Sequence, residues 1–222
     1  MTARSPTRLP QRSHARSNHA RILAAARQEL SRNADASLDE IARAAGVVRR
    51  TLYGHFPNRQ ALVSALAEEA RQALAEALTV ARGPGDGPPT ALARLVLATW
   101  AVGDRYRMLI SLARRDLGED RIRGALTPVR AAATAILDRG QRDGAFARHL
   151  PAPVLARATE SLALAILESQ ASTGWSDPAG EAGATAVLVA AGVAPAPARG
   201  CVRAILDADA QHGCAGRSST GR

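Results

Sequence analysis

Residues Ser37 to Arg59 read SLDEIARAAGVVRRTLYGHFPNR, and no other stretch of the chain restricts its own fold so tightly. Ser37 stands three residues before Glu40 at the head of an apolar-periodic run. That spacing is a capping box: the Ser37 side chain accepts from a backbone N–H of the first turn, and Glu40 reaches back to the Ser37 N–H. Leu38, Ile41, Ala42 and Ala45 then recur at helical spacing. Gly46 closes the helix, because glycine takes a positive φ without strain. A second short helix carries Arg49, Arg50, Thr51, Tyr53 and His55 beside apolar Leu52 and Phe56, until Pro57 and Asn58 break it. Two short helices joined by a glycine turn, the second basic and polar, make a helix-turn-helix over 37–56.

The charge lies in the same part of the sequence. Residues 1–59 hold eleven Arg against four acids, whereas residues 60–222 hold eighteen against sixteen. The formal charge of +9 therefore belongs mostly to the head, as a DNA-facing surface requires. Every Lys-or-Arg position is Arg; the abundance of Ala, Gly, Pro and Arg together is the bias of a GC-rich genome. Cys201 and Cys214 are too few for a disulfide framework. With His212 they are also too few, and badly placed, for tetrahedral zinc. No Ser/His/Asp register, phosphate-cradling glycine loop or paired carboxylate set occurs, so no enzyme, cofactor or metal is expected. The start lacks the charged-then-apolar pattern of a signal peptide. Apolar stretches such as Leu162 to Leu167 fall far short of the ~20 residues of a membrane span. A cytoplasmic protein with no membrane partner is expected.

Periodicity divides the rest into helices, and no segment alternates with the period of a strand, so the fold class is all-α. Residues 1–14 hold two prolines and form a flexible basic arm. A first helix from about Ala15 to Arg32 turns Ile22, Leu23, Ala26 and Leu30 inward, against Ile41, Ala45, Leu52 and Phe56. The head occupies 14–74. A fourth helix from near Asn58 to about Arg82 leads into GPGDGPP at 83–89, the clearest linker. Thr90 is then placed to cap the next helix, followed by one over Asp104–Asp116 and a longer one over Glu119–Arg142, interrupted at Thr127-Pro128. Helices over Pro151–Gln170, Pro178–Ala191 and Ala196–Ala210 complete a C-terminal region of 75–210, and 211–222 form a disordered tail.

The string AGVVRRTLYGHFPNR, preceded by RILAAARQEL at Arg21 to Leu30, resembles the DNA-binding head of the TetR family of bacterial regulators. Matching positions run in register from Ile22 through Gly46, Thr51, Leu52, Tyr53 and Phe56 to Leu62. The resemblance covers Arg16 to about Glu76 by motif and the remainder by architecture. It implies that the second helix of the motif enters the major groove of double-stranded DNA. Arg49, Arg50 and Thr51, at its N-terminal end, would reach base edges. Tyr53 and His55 would hold phosphates, as would Arg59, where the family usually has Lys. Ser37 would face the DNA backbone. Leu52 and Phe56 are core residues. Three positions depart from the pattern: Val48 replaces a Ser or Thr cap, Arg50 a small residue, and Gly54 a larger one.

One recognition helix reads too short a site to be specific. The resemblance therefore implies a homodimer on a quasi-palindromic operator, with heads about one DNA turn apart. Pro151–Gln170 and Pro178–Ala191 are the expected dimer helices, with Leu162, Ile166, Val187 and Ala191 at the interface. The apolar stretch Leu162–Leu167 needs cover on all sides. The resemblance further implies a transcriptional repressor released from DNA by a small-molecule effector in the C-terminal region. Trp100, Tyr106, Met108, Phe146 and Trp175 are the candidate pocket residues, since aromatics are so scarce. The other reading of a basic helix-turn-helix is a nucleoid-associated protein without a ligand.

Overall fold

The structure is a computed structural model that describes residues 10–81, 83 and 85–215. Every regular element among them is a helix: α1 (Pro10–Arg32), α2 (Leu38–Ala44), α3 (Arg49–His55), α4 (Arg59–Val80), α5 (Pro88–Arg105), α6 (Arg107–Leu117), α7 (Glu119–Ala125), α8 (Thr127–Arg142), α9 (Ala152–Thr173), α10 (Glu181–Ala190) and α11 (Pro195–Ala215). Most expected helices are present, and the differences lie at their ends. α1 starts at Pro10 instead of Ala15, because proline fits the first turn, where its missing N–H bonds nothing. Residues 1–9 of the expected arm lie outside the described residues. Gly87, not Thr90, occupies the N-cap of α5, with Pro88 and Pro89 in its first turn. The helix expected over Glu119–Arg142 is two, α7 and α8, with Pro128 in the first turn of the second. α11 continues to Ala215, so only 216–222 of the expected tail lie outside the described residues.

The chain forms two compact units. The first comprises the described residues up to Glu69 together with Met108–Ile122; the second comprises Ala70–Arg107 and the described residues from Arg123 onward. Most of α6 thus belongs with the head, although it follows residue 74 in the sequence. Ion pairs explain the association. Asp116 lies 3.5 Å from Arg59, and Arg115 lies 3.2 Å from Asp35 in the α1–α2 connection. Charges this far apart in sequence give no periodic signal.

In the first unit the apolar stripes meet as the periodicity predicts. Ile22, Leu23, Ala26 and Leu30 of α1 are buried with Ile41, Ala42, Leu52, Phe56, Leu62, Val63 and Leu66. In the second unit α5 is central and packs against α8, α10 and α11. Leu92, Leu95, Leu137, Leu155, Leu188, Val202 and Ile205 fill that core. Gly183 makes one of its contacts possible: a Cβ there would lie 2.2 Å from the Trp100 ring.

Candidate nucleic-acid interface

The turn between α2 and α3 is built from local hydrogen bonds. Glu40 N donates to Ser37 Oγ at 3.2 Å, and Ser37 N donates to Glu40 Oε2 at 2.7 Å, which completes the capping box. The Ser37 backbone N–H, then its hydroxyl, holds the Glu40 carboxyl below its ordinary pKa of 4.5. Gly46 has φ 63°, where a side chain would be strained. Arg21 of α1 then closes the end of α2: its Nη2 donates to Ala45 O at 2.7 Å and Gly46 O at 3.1 Å. The sequence reading assigned Arg21 nothing, since only the fold brings it 24 residues along the chain to that helix end.

α3 sorts its residues by face. Leu52 and the flanking Phe56 are buried, while Arg49, Arg50, Tyr53 and Gly54 are exposed and Thr51 is half-buried. Val48 occupies the N-cap with extended backbone and no side-chain hydrogen bond, and it is 69% exposed. A Cβ on Gly54 would meet nothing within 4 Å, so the small residue there leaves open space on the outer face. His55 is half-buried; its ring centroid lies 5.9 Å from that of His19 on α1, edge to face, and His19 in turn packs 5.0 Å from Phe56. Ser37 stays exposed with its hydroxyl engaged by Glu40.

Arg59 differs from expectation. Its Nη1 donates to Ala36 O at 2.7 Å, its Nη2 donates to Ala34 O, and its Nε faces Asp116. An arginine with both ends of its fork on backbone carbonyls braces the α1–α2 connection. Carbonyls left over where α1 ends and α2 has yet to begin require donors, and Arg59 supplies them. Arg115, held above its usual pKa first by Asp116 and then by Asp35, completes the cluster.

In the second unit most expected pocket residues are core. Trp100 is 2% exposed and its Nε1 donates to Asp177 O at 2.8 Å. Phe146 is buried against Gly140, and Tyr106 is buried. These three belong to the packed interior because large rings are what fill a core otherwise made of Ala, Leu and Val. The Met108 side chain lies outside the described residues. Trp175 is exposed at the edge of an open recess of about 550 Å³, lined also by Asp177, Glu181, Thr185, Val189 and Arg199. Asp177 is buried there, its Oδ2 accepting from Gly183 N at 2.9 Å.

Two expected dimer residues are likewise buried. Val187 and Ala191 of α10 are sealed inside their own chain, in the core with Leu92 and Val202. Leu162 and Ile166 of α9 are half-buried, with Ala158, Ser161 and Ala165 exposed beside them. Within Leu162–Leu167 only Leu167 is buried. Cys201 is half-buried, its sulfur 3.7 Å from Thr90 Oγ1. The side chains of His212 and Cys214 lie outside the described residues. Among the described residues no helix is long and apolar enough to cross a membrane.

The family profile described as "Bacterial regulatory proteins, tetR family" matches residues 22–66, the segment from α1 through the helix-turn-helix into α4. That segment therefore matches the DNA-binding head of the TetR family. Solved TetR-family structures share its fold. A bacterial regulatory protein of the tetR family from Rhodococcus RHA1 is 22% identical with a TM-score of 0.65, over 80% of this chain and 98% of that one. The TetR-family regulator PfmR from Thermus thermophilus is 21% identical with a TM-score of 0.63, over 77% and 97%. The TetR-like regulator LfrR from Mycobacterium smegmatis, solved in complex with proflavine, is 22% identical with a TM-score of 0.62, over 79% and 94%. No curated protein sequence matches the chain. Among the described residues the fold is all-helical, and these structures share it.

Proposed function

We propose that this protein is a TetR-family repressor that binds a quasi-palindromic operator as a homodimer and leaves it when a small molecule binds its C-terminal region. The observation that carries the DNA-reading part is the outer face of α3. It presents Arg49, Arg50 and Tyr53 to solvent while Leu52 and Phe56 anchor the helix from behind. Arg50, with Arg49, would pair bidentately with O6 and N7 of guanine, an interaction that discriminates by about 1–3 kcal/mol. Thr51, Tyr53, His55 and Ser37 serve as base-edge or backbone contacts around it.

The homodimer is supported by α9. Its half-covered Leu162 and Ile166 and its exposed Ala158, Ser161 and Ala165 leave a face of small and apolar side chains that a second copy would cover. The effector is supported by the bound proflavine of LfrR, a protein of the same fold. Trp175, exposed beside its recess, is an aromatic candidate for contact with such a ligand. An effector can shift the protein off DNA only by its difference in affinity between DNA-competent and released states.

Selection of bound sequences from a randomised duplex pool tests the whole reading, repeated with proflavine as a probe effector. Enrichment of an inverted repeat with half-sites about one DNA turn apart supports it. Even recovery of all sequences would overturn it in favour of a nucleoid-associated role.

A further inference from the structure

Arg49 does not stand alone on the α3 face. Its Nε lies 2.7 Å from Oδ1 of Asp39, in the first turn of α2. The Arg49 side chain remains 70% exposed, against 36% for Asp39. Oδ1 itself is shielded from solvent and has no hydrogen-bond donor in regular geometry, so the Arg49 cation is what lies against it. Near it in the chain lie the exposed cations Arg43, Arg49 and Arg50, while the exposed acid beside it, Glu40, is engaged by Ser37. A carboxylate close to DNA repels phosphate, so its presence there calls for a local role.

We propose that Asp39 is a positioning residue for sequence reading: it holds Arg49 by Nε and leaves the Nη edge free to pair with O6 and N7 of one guanine. The inference rests on α3 being the DNA-reading helix. A free arginine samples many rotamers, and each must be given up when it pairs. Fixing one end before DNA arrives lowers that cost and aims the planar fork, which is what bidentate recognition needs. Two rival roles predict different outcomes. A bystander acid only weakens DNA attraction. A purely structural acid offsets two arginines at the positive end of an uncapped helix.

The test uses the full chain and a randomised duplex pool, comparing base preference at each position for wild type, Asp39→Asn, Arg49→Ala, the double variant, and Asp39→Asn combined with Val48→Ser. Asp39→Asn is expected to reduce preference for guanine at one base pair of each half-site by about tenfold. It should leave other positions unchanged and affinity for random duplex equal or higher. In the Arg49→Ala background the same change should do nothing further, and Val48→Ser should not restore the lost preference. A rise in affinity at all positions alike would make Asp39 a bystander and overturn the proposal. So would an even loss of affinity that Val48→Ser restores, which marks a structural role. If Arg49→Ala itself leaves affinity and preference unchanged, Arg49 reads no base, and the positioning role is overturned with it. An inverted repeat still enriched by wild type would then leave the operator reading standing, while its absence would remove that reading too.

Discussion

At the scale of single residues, arginines that look alike in sequence do different work. Arg50 is exposed at the start of α3, so Arg50→Ala should cost about 1–3 kcal/mol of specific binding. The loss should fall on one base pair per half-site, measured by titration against singly substituted operators. Arg59 is held by two carbonyls and faces Asp116. Arg59→Ala should therefore lower stability by about 2 kcal/mol in denaturant unfolding. It should leave the slope of log affinity against log salt unchanged, because no phosphate contact is lost. A flatter salt slope would return Arg59 to the DNA surface. Val48 gives a third residue-scale prediction. It occupies an N-cap with no side-chain bond, so Val48→Ser should raise stability by about 1 kcal/mol, read as a higher Tm.

At the scale of elements, α2 is seven residues long and depends on its ends. The Ser37 N–H and hydroxyl hold the Glu40 carboxyl below its ordinary pKa. A carboxyl whose folded pKa is depressed adds stability above its unfolded pKa, and that stability is lost as pH falls through the folded value. The stability gap between wild type and Glu40→Gln should thus be present at neutral pH and close on acidification below 4.5. Urea unfolding across that range measures it, and a gap independent of pH would show that the charge plays no part. In the second unit, close approach matters more than charge. A methyl on Gly183 would intrude on the Trp100 ring, so Gly183→Ala should cost about 1–3 kcal/mol through overpacking. The capping box was legible because its partners are three residues apart. The Arg21 closure of α2 and the Asp35–Arg115 pair were not, because no local pattern ties residues so far apart.

At the scale of the whole molecule, the proposed assembly makes the dimer a condition of DNA reading. Ile166 is half-covered on α9, so Ile166→Asp should raise the Kd for self-association at least about tenfold. Sedimentation measures that, and operator affinity should fall in step, since one head contacts one half-site. A dimer of undiminished affinity would move the interface elsewhere. The basic excess of residues 1–59 implies salt-sensitive binding whatever the operator.

The sequence by itself determined the helix-turn-helix, its capping, the inward Leu52 and Phe56, and the all-helical class, because each depends on residues a few positions apart. It also determined that Val48 leaves α3 uncapped. Only the tertiary structure decided which side chains the fold had left outside. It turned Arg59 inward, sealed Val187 and Ala191 in the core, made Trp100 and Phe146 packing residues, joined α6 to the head, and set Asp39 against Arg49. Burial and ion pairing depend on which distant helices meet, and apolar periodicity tells which face a helix buries but not against what.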